Sequence, residues 1–293
     1  VFDYIVGQDY TLYKLQELLR VDKYPQVSLF TGPYGTGRAL TAKRVYRYLN
    51  CMGTKNYTCE CVTCQKSSKP PDLHIFTPDK NITVDMAREI VKICNTRPFM
   101  GRYTGIIVER VESMTPSAAN ALLKVLEELP EYCKVFLVAL SAETVLDTIR
   151  SRCFEFQFFP VDPQHVEDFL VRAIKLKREE AGLYAKLSHG SFSRVFHYMS
   201  EDMKRFREIL YVLLRDMPTM RMGELILRLR DLERSFTIYK IVKEVYGVLT
   251  DIRKYHAGIP RIRNKDMDIY LLATKVSPEV LERSLELCKQ TLI

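Results

Sequence analysis

Gly32-Pro33-Tyr34-Gly35-Thr36-Gly37-Arg38-Ala39 has the frame of a Walker A phosphate loop, G-x-x-x-x-G-K-[ST], up to its last two positions. The short apolar run Val27-Ser28-Leu29-Phe30-Thr31 before it reads as a buried strand. Residues 38–50 after it read as a helix. Strand, glycine loop and helix form the context that a phosphate loop requires, and they place the chain in the α/β class. The glycines that bring backbone N–H groups around phosphates are kept. The lysine that reaches the terminal phosphates is replaced by Arg38. The hydroxyl that ligates Mg²⁺ is replaced by Ala39, which has no oxygen. The loop has the shape of a nucleotide site without two of its chemical groups.

Outward from this loop, strands and helices alternate. Residues 12–20 carry Leu12, Leu15, Leu18 and Leu19 on one helical face. A strand is expected at 72–77 and a helix at 84–96, with Val84, Ala87, Ile90, Val91 and Cys94 spaced at three and four. Residues 104–111 form an apolar strand. Thr115-Pro116 starts a helix, with a hydroxyl N-cap and proline in the first turn, that runs to about 129. Strands at 134–140 and 154–159 flank a helix at 143–150. Such alternation predicts a parallel sheet covered on both faces. Past Pro160 only helices are expected: 163–178, 179–188, 192–199, 201–216, 223–234, 237–256 and 278–292. The expected organisation is therefore a sheet domain at 1–159, a small helical lid at 160–200 and an all-helical domain at 201–293.

The chain has 293 residues, enough for two or three domains. It contains no apolar run long enough to span a bilayer and no basic-then-apolar leader at Val1-Phe2-Asp3-Tyr4, so no membrane partner is expected. The net charge of +8 points towards a polyanionic partner, although Lys43, Arg44, Arg47, Arg88 and Lys92 are scattered rather than run together. Of eight cysteines, Cys51, Cys59, Cys61 and Cys64 crowd together. Four thiolates at this spacing suit tetrahedral Zn²⁺, and the others read as core thiols, which argues for the cytoplasm rather than a disulfide framework. A loop containing Lys55, Asn56, Thr58 and Thr63 buries little apolar surface, so the metal is expected to be structural.

Further motifs carry a family resemblance. Ala118-Ala119-Asn120-Ala121-Leu122-Leu123-Lys124-Val125-Leu126-Glu127-Glu128, followed by Pro130, is similar to the A-A-N-A-L-L-K-x-L-E-E-P-P helix of bacterial clamp loaders. Ser151-Arg152-Cys153 matches their S-R-C motif. Phe2-Asp3-Tyr4-Ile5-Val6-Gly7-Gln8 and Arg97-Pro98-Phe99-Met100-Gly101-Arg102-Tyr103 resemble their opening segment and the segment before their Walker B strand. The resemblance is to the AAA+ clamp-loader subunits of DNA polymerase III. It implies a RecA-like AAA+ sheet domain, a helical lid, a C-terminal collar that oligomerises with motor (gamma/tau) and delta subunits, and an indirect link to the sliding clamp and primed DNA. It also implies a zinc module inserted at about 51–64. The family usually leaves two residues between the later cysteines, whereas Cys59-Glu60-Cys61 leaves one.

Within that family the departures resemble delta-prime more than the motor. The Walker B strand should end in Asp-Glu, the Mg²⁺ carboxylate and the group that polarises water. Here those places hold Glu109 and Arg110, and arginine stays protonated. The sensor strand Phe136-Leu137-Val138-Ala139-Leu140 offers no hydroxyl, with Ser141 the nearest substitute. Gly190-Ser191-Phe192-Ser193-Arg194 resembles the delta-prime G-S-x-x-R. The resemblance assigns Arg152 as an arginine finger offered to a neighbour's ATP, and leaves Gly32, Gly35, Gly37 and Arg38 with weak or vestigial ATP/ADP binding. Two rivals stay open. One is an active gamma/tau-type ATPase in which Arg38 stands in for lysine and Glu109 or Glu112 for the missing carboxylate. The other is a zinc-containing AAA+ DNA-binding protein outside replication.

Overall fold

A computed structural model describes residues 2, 4–55, 59–61, 64 and 70–292. Asp3, Asn56, Thr58 and Thr63 lie outside the described residues. The chain divides into two compact units, residues 1–169 with 190–193, and residues 170–189 with 194–293.

The first unit is built on five parallel strands: β1 (Val27–Thr31), β2 (Leu73–Phe76), β3 (Thr104–Glu109), β4 (Cys133–Ala139) and β5 (Phe154–Gln157), in the order β2-β3-β4-β1-β5. β1 and β4 are buried at every residue, as central strands covered on both faces must be. Side chains alternate between two apolar layers. Leu29, Ile106, Val108, Val135 and Leu137 pack on one face with Ala87 and Ile90 of α3 (Val84–Cys94) and Leu122 of α4 (Pro116–Glu127). Phe30, Ile107, Phe136 and Phe156 pack on the other with Leu15 of α1 (Asp9–Arg20) and Val45 of α2 (Arg38–Asn50). α4 starts as its sequence dictates: Thr115 caps it by accepting from the Ala118 amide at 3.2 Å, with Pro116 in the first turn.

The stretch expected as one helix at 143–150 is a 3₁₀ turn, Ala142–Thr144, followed by a short helix, α5 (Asp147–Arg150). Val145 breaks the run because its side chain is drawn into the core, which requires extended backbone there. The helix expected at 163–178 is α6 (Pro163–Phe169), which widens into a π-turn at Leu170–Ile174 and ends before Lys175, a left-handed residue with φ of 64°.

Among its described residues the second unit is helical throughout. It contains α7 (Arg178–Ser188), most of α8 (Phe192–Met199), α9 (Glu201–Asp216), α10 (Met222–Ser235), α11 (Ile238–His256), α12 (Ile269–Ala273) and α13 (Pro278–Leu292). Its core gathers Met203, Phe206, Leu210, Val248, Ile252 and Leu285. No described helix is long and apolar enough to cross a membrane.

The loop at 97–103, which leads into β3, is fixed by two side chains, Asp72 and Asn50. The buried Asp72 carboxylate accepts from the backbone N–H groups of Phe99, Met100 and Gly101, the last two at 2.8 Å. Asn50 Oδ1 accepts from Tyr103 N at 2.8 Å. Asp72→Ala is expected to cost about 3 kcal/mol, because three amides lose a charged acceptor together. A urea unfolding curve reads this as a lowered midpoint, and a midpoint equal to the parent's would show that water replaces the carboxylate.

Candidate functional site

The glycine loop lies at the carboxyl end of the sheet, between β1 and α2, where parallel α/β sheets hold their ligands. Gly35 and Gly37 both have left-handed φ, of 79° and 96°. A side chain at Gly35 would strike Ser191 Oγ, because the 190–193 segment is packed on the loop. Phe192 N donates to Gly35 O at 2.9 Å, and Gly32 N donates to Leu140 O at 3.1 Å. Two of the loop's backbone groups are therefore bonded within the protein.

Arg38, in place of the lysine, is 7% exposed, and its Nη1 donates to the Ala139 carbonyl at the end of β4. Burial pulls the guanidinium below its ordinary value, and the carboxylates of Glu112 and Glu109 pull the other way. The guanidinium is directed at the carboxyl end of β4, the central strand, whereas a working lysine reaches the terminal phosphates. Glu112 Oε2 accepts from Leu140 N at 3.4 Å.

Arg110, in place of the catalytic carboxylate, takes a left-handed backbone with φ of 58°. Its Nη1 donates to Pro78 O at 3.0 Å and to Asp79 O at 2.8 Å. It clamps the turn after β2. No sequence signal announced this second use, because both carbonyls are more than thirty residues away in the chain.

Arg152 follows α5 on the rim of the first unit, with a third of its side chain exposed. Its Nε donates to Glu127 Oε1 at 2.9 Å, and Nη2 donates to the same oxygen. Nη1 donates to Thr148 O at 2.7 Å and to Ser151 Oγ at 3.2 Å. The four cysteines come together after α2: all four sulfurs lie within 4.8 Å of one another, with Cys51, Cys59 and Cys64 buried. Cys51 Sγ is 3.4 Å from Cys59 Sγ and 3.9 Å from Cys61 Sγ. Tetrahedral zinc with Zn–S bonds of about 2.3 Å separates its sulfurs by about 3.8 Å, so the donor set fits the ion in kind and spacing.

A family profile described as DNA polymerase III, delta subunit, matches residues 7–162, more than half of the chain. The chain belongs to that family. It is also 29% identical over 178 residues to the DNA polymerase III subunit gamma of Buchnera aphidicola, covering 59% of this chain and 49% of that protein. The match to the subunit tau of Bacillus subtilis is 32% over 189 residues, covering 62% of this chain and 34% of the relative. The chain thus spans half or less of the length of these relatives. Among solved structures, a gamma subunit-related protein of Thermotoga maritima superposes with a TM-score of 0.56 at 18% identity, covering 95% of this chain and 99% of that one. The Holliday junction branch migration motor RuvB of the same organism superposes with a TM-score of 0.50 at 14% identity, covering 95% and 94%. The fold is that of AAA+ proteins, with a parallel five-stranded sheet and a helical C-terminal part.

Proposed function

We propose that the chain is a non-hydrolysing clamp-loader subunit of the delta-prime kind, which helps load a sliding clamp onto primed DNA and offers Arg152 to ATP held by a neighbouring motor subunit. The observation that carries this reading is the state of its own site. The phosphate-loop cation is bonded to Ala139, and the place of the water-polarising carboxylate holds an arginine clamped to Pro78 and Asp79. Removing one stabilising contact of this kind commonly costs ~3 kcal/mol of transition-state stabilisation, and here several are missing together. The named relatives, gamma and tau, support motor subunits as partners. On this reading the sheet domain, the lid at 160–200 and the collar at 201–293 keep the family's division of labour. An exposed groove of about 490 Å³, lined by Ile209, Val212, Leu213, Leu232 and Phe236, supports the collar as the surface for partner subunits.

One observation favours the motor reading: Glu109 and Glu112 both act on Arg38 and so lie close to the loop. A steady-state assay separates the two. The purified chain is expected to release no phosphate from ATP above the buffer rate, and to co-elute on size exclusion with gamma/tau and delta subunits. Turnover of ~1 s⁻¹ or more by the chain alone would establish the motor reading instead.

A further inference from the structure

α2 joins the two sites of the first unit. It leaves the glycine loop at Arg38 and ends at Asn50, one residue before Cys51. Arg47 lies one helical turn before that cysteine, on the same face. Its Nη2 donates to the Cys59 carbonyl at 2.8 Å, so the guanidinium bridges the helix and the limb that brings in Cys59 and Cys61.

The charge balance of the cluster gives this contact a purpose. Four thiolates around one Zn²⁺ leave a net charge of −2 on a group whose Cys51, Cys59 and Cys64 are at most 7% exposed. A largely desolvated dianion requires nearby positive charge. Lys55 is turned elsewhere, with its ammonium 5.2 Å from the centre of the Tyr48 ring. Building on the structural-zinc reading, we propose that Arg47 is, among the described residues, a charge-balancing residue of the metal site. It sets the affinity of the four cysteines for zinc through its positive charge and positions the Cys59 limb through the carbonyl bond.

The two roles separate by substitution. Arg47→Gln keeps an N–H donor for the Cys59 carbonyl and removes the charge. Arg47→Lys keeps the charge and gives up the planar fork. The full chain, stripped of metal under reducing conditions, is titrated with Zn²⁺ against a chromophoric chelator, and with Co²⁺ to count thiolate ligands by absorption. Arg47→Gln is expected to bind zinc ~10–100-fold more weakly than the parent, the range seen when groups around metal ligands are lost. Arg47→Lys is expected to stay within about threefold of the parent, and Lys43→Met, an exposed change on the same helix, should match it. Equal affinity in the parent and Arg47→Gln would overturn the proposal. So would an Arg47→Lys value as weak as that of Arg47→Gln, because restoring the charge would then restore no affinity. A parent chain that takes up no stoichiometric zinc would instead sink the metal reading on which the proposal rests.

Discussion

On the proposed delta-prime reading, Arg152→Ala is expected to lower ATP turnover at a neighbouring motor site by ~10³–10⁵-fold, the effect of withdrawing an arginine finger, while the complex still assembles. A guanidinium is permanently charged and planar, and it matches the charge spread over the equatorial oxygens of the transferring phosphoryl group. In the single chain that guanidinium is occupied by Glu127, Thr148 O and Ser151. The occupation is shallow, because the Arg152 and Glu127 side chains are 33% and 49% exposed. A surface ion pair of this kind contributes about 0–1 kcal/mol, so exchanging Glu127 for a phosphate of higher charge costs little. The clean measurement is single-turnover hydrolysis in a reconstituted complex whose other motor sites have been inactivated, with size exclusion to verify assembly. Arg152→Lys should fall between parent and alanine, since it keeps a point charge but not the fork. Undiminished turnover in the alanine variant would remove Arg152 from the reaction.

The sheet was legible in the sequence because its central strands are mostly apolar runs between helical patterns, and the glycine loop marks which strand leads to the site. The alternation of Leu29 with Phe30 and of Ile106 with Ile107 then fixes which face each helix covers. The cysteine cluster was legible in its spacing alone. Other features depend on partners distant in the chain. Asp72 gathers three amides 27 to 29 residues away. Arg110 folds back on the turn after β2, and Arg47 reaches the Cys59 limb. A lone charged residue has no periodicity, so no pattern distinguishes these from solvated surface charges. The five-residue helix α12 was missed for a related reason: it is too short for a helical repeat, and its start depends on Asp268 accepting from Leu271 N at 3.0 Å.

A second large loss is expected in the helical unit, at Arg207. This side chain is 6% exposed and joins three parts of the helical unit. Nε and Nη2 form a two-pronged contact with the Asp266 carboxylate, both at 2.7 Å. Nη1 donates to Glu244 Oε2 at 2.8 Å, and Nη2 also donates to Asn264 Oδ1 at 2.8 Å. Burial pulls the guanidinium down, but Asp266 and Glu244 more than offset this and hold it above its ordinary value. Arg207→Ala leaves Glu244, itself 9% exposed at the side chain, with Tyr198 Oη at 2.8 Å as its remaining neutral donor in this network. Stranding a buried carboxylate in this way costs about 3–5 kcal/mol, a large fraction of the 5–15 kcal/mol typical of a whole domain. Urea unfolding followed by circular dichroism should show the helical unit melting at a much lower midpoint. Neutralising the partners as well, in Arg207→Met with Glu244→Gln and Asp266→Asn, should recover most of the loss, because the penalty comes from the orphaned charges rather than from missing attraction. A deficit below ~1 kcal/mol in Arg207→Ala would mean that water reaches Glu244 and Asp266, and that these helices are held by Phe206, Leu210, Val248 and Ile252 alone.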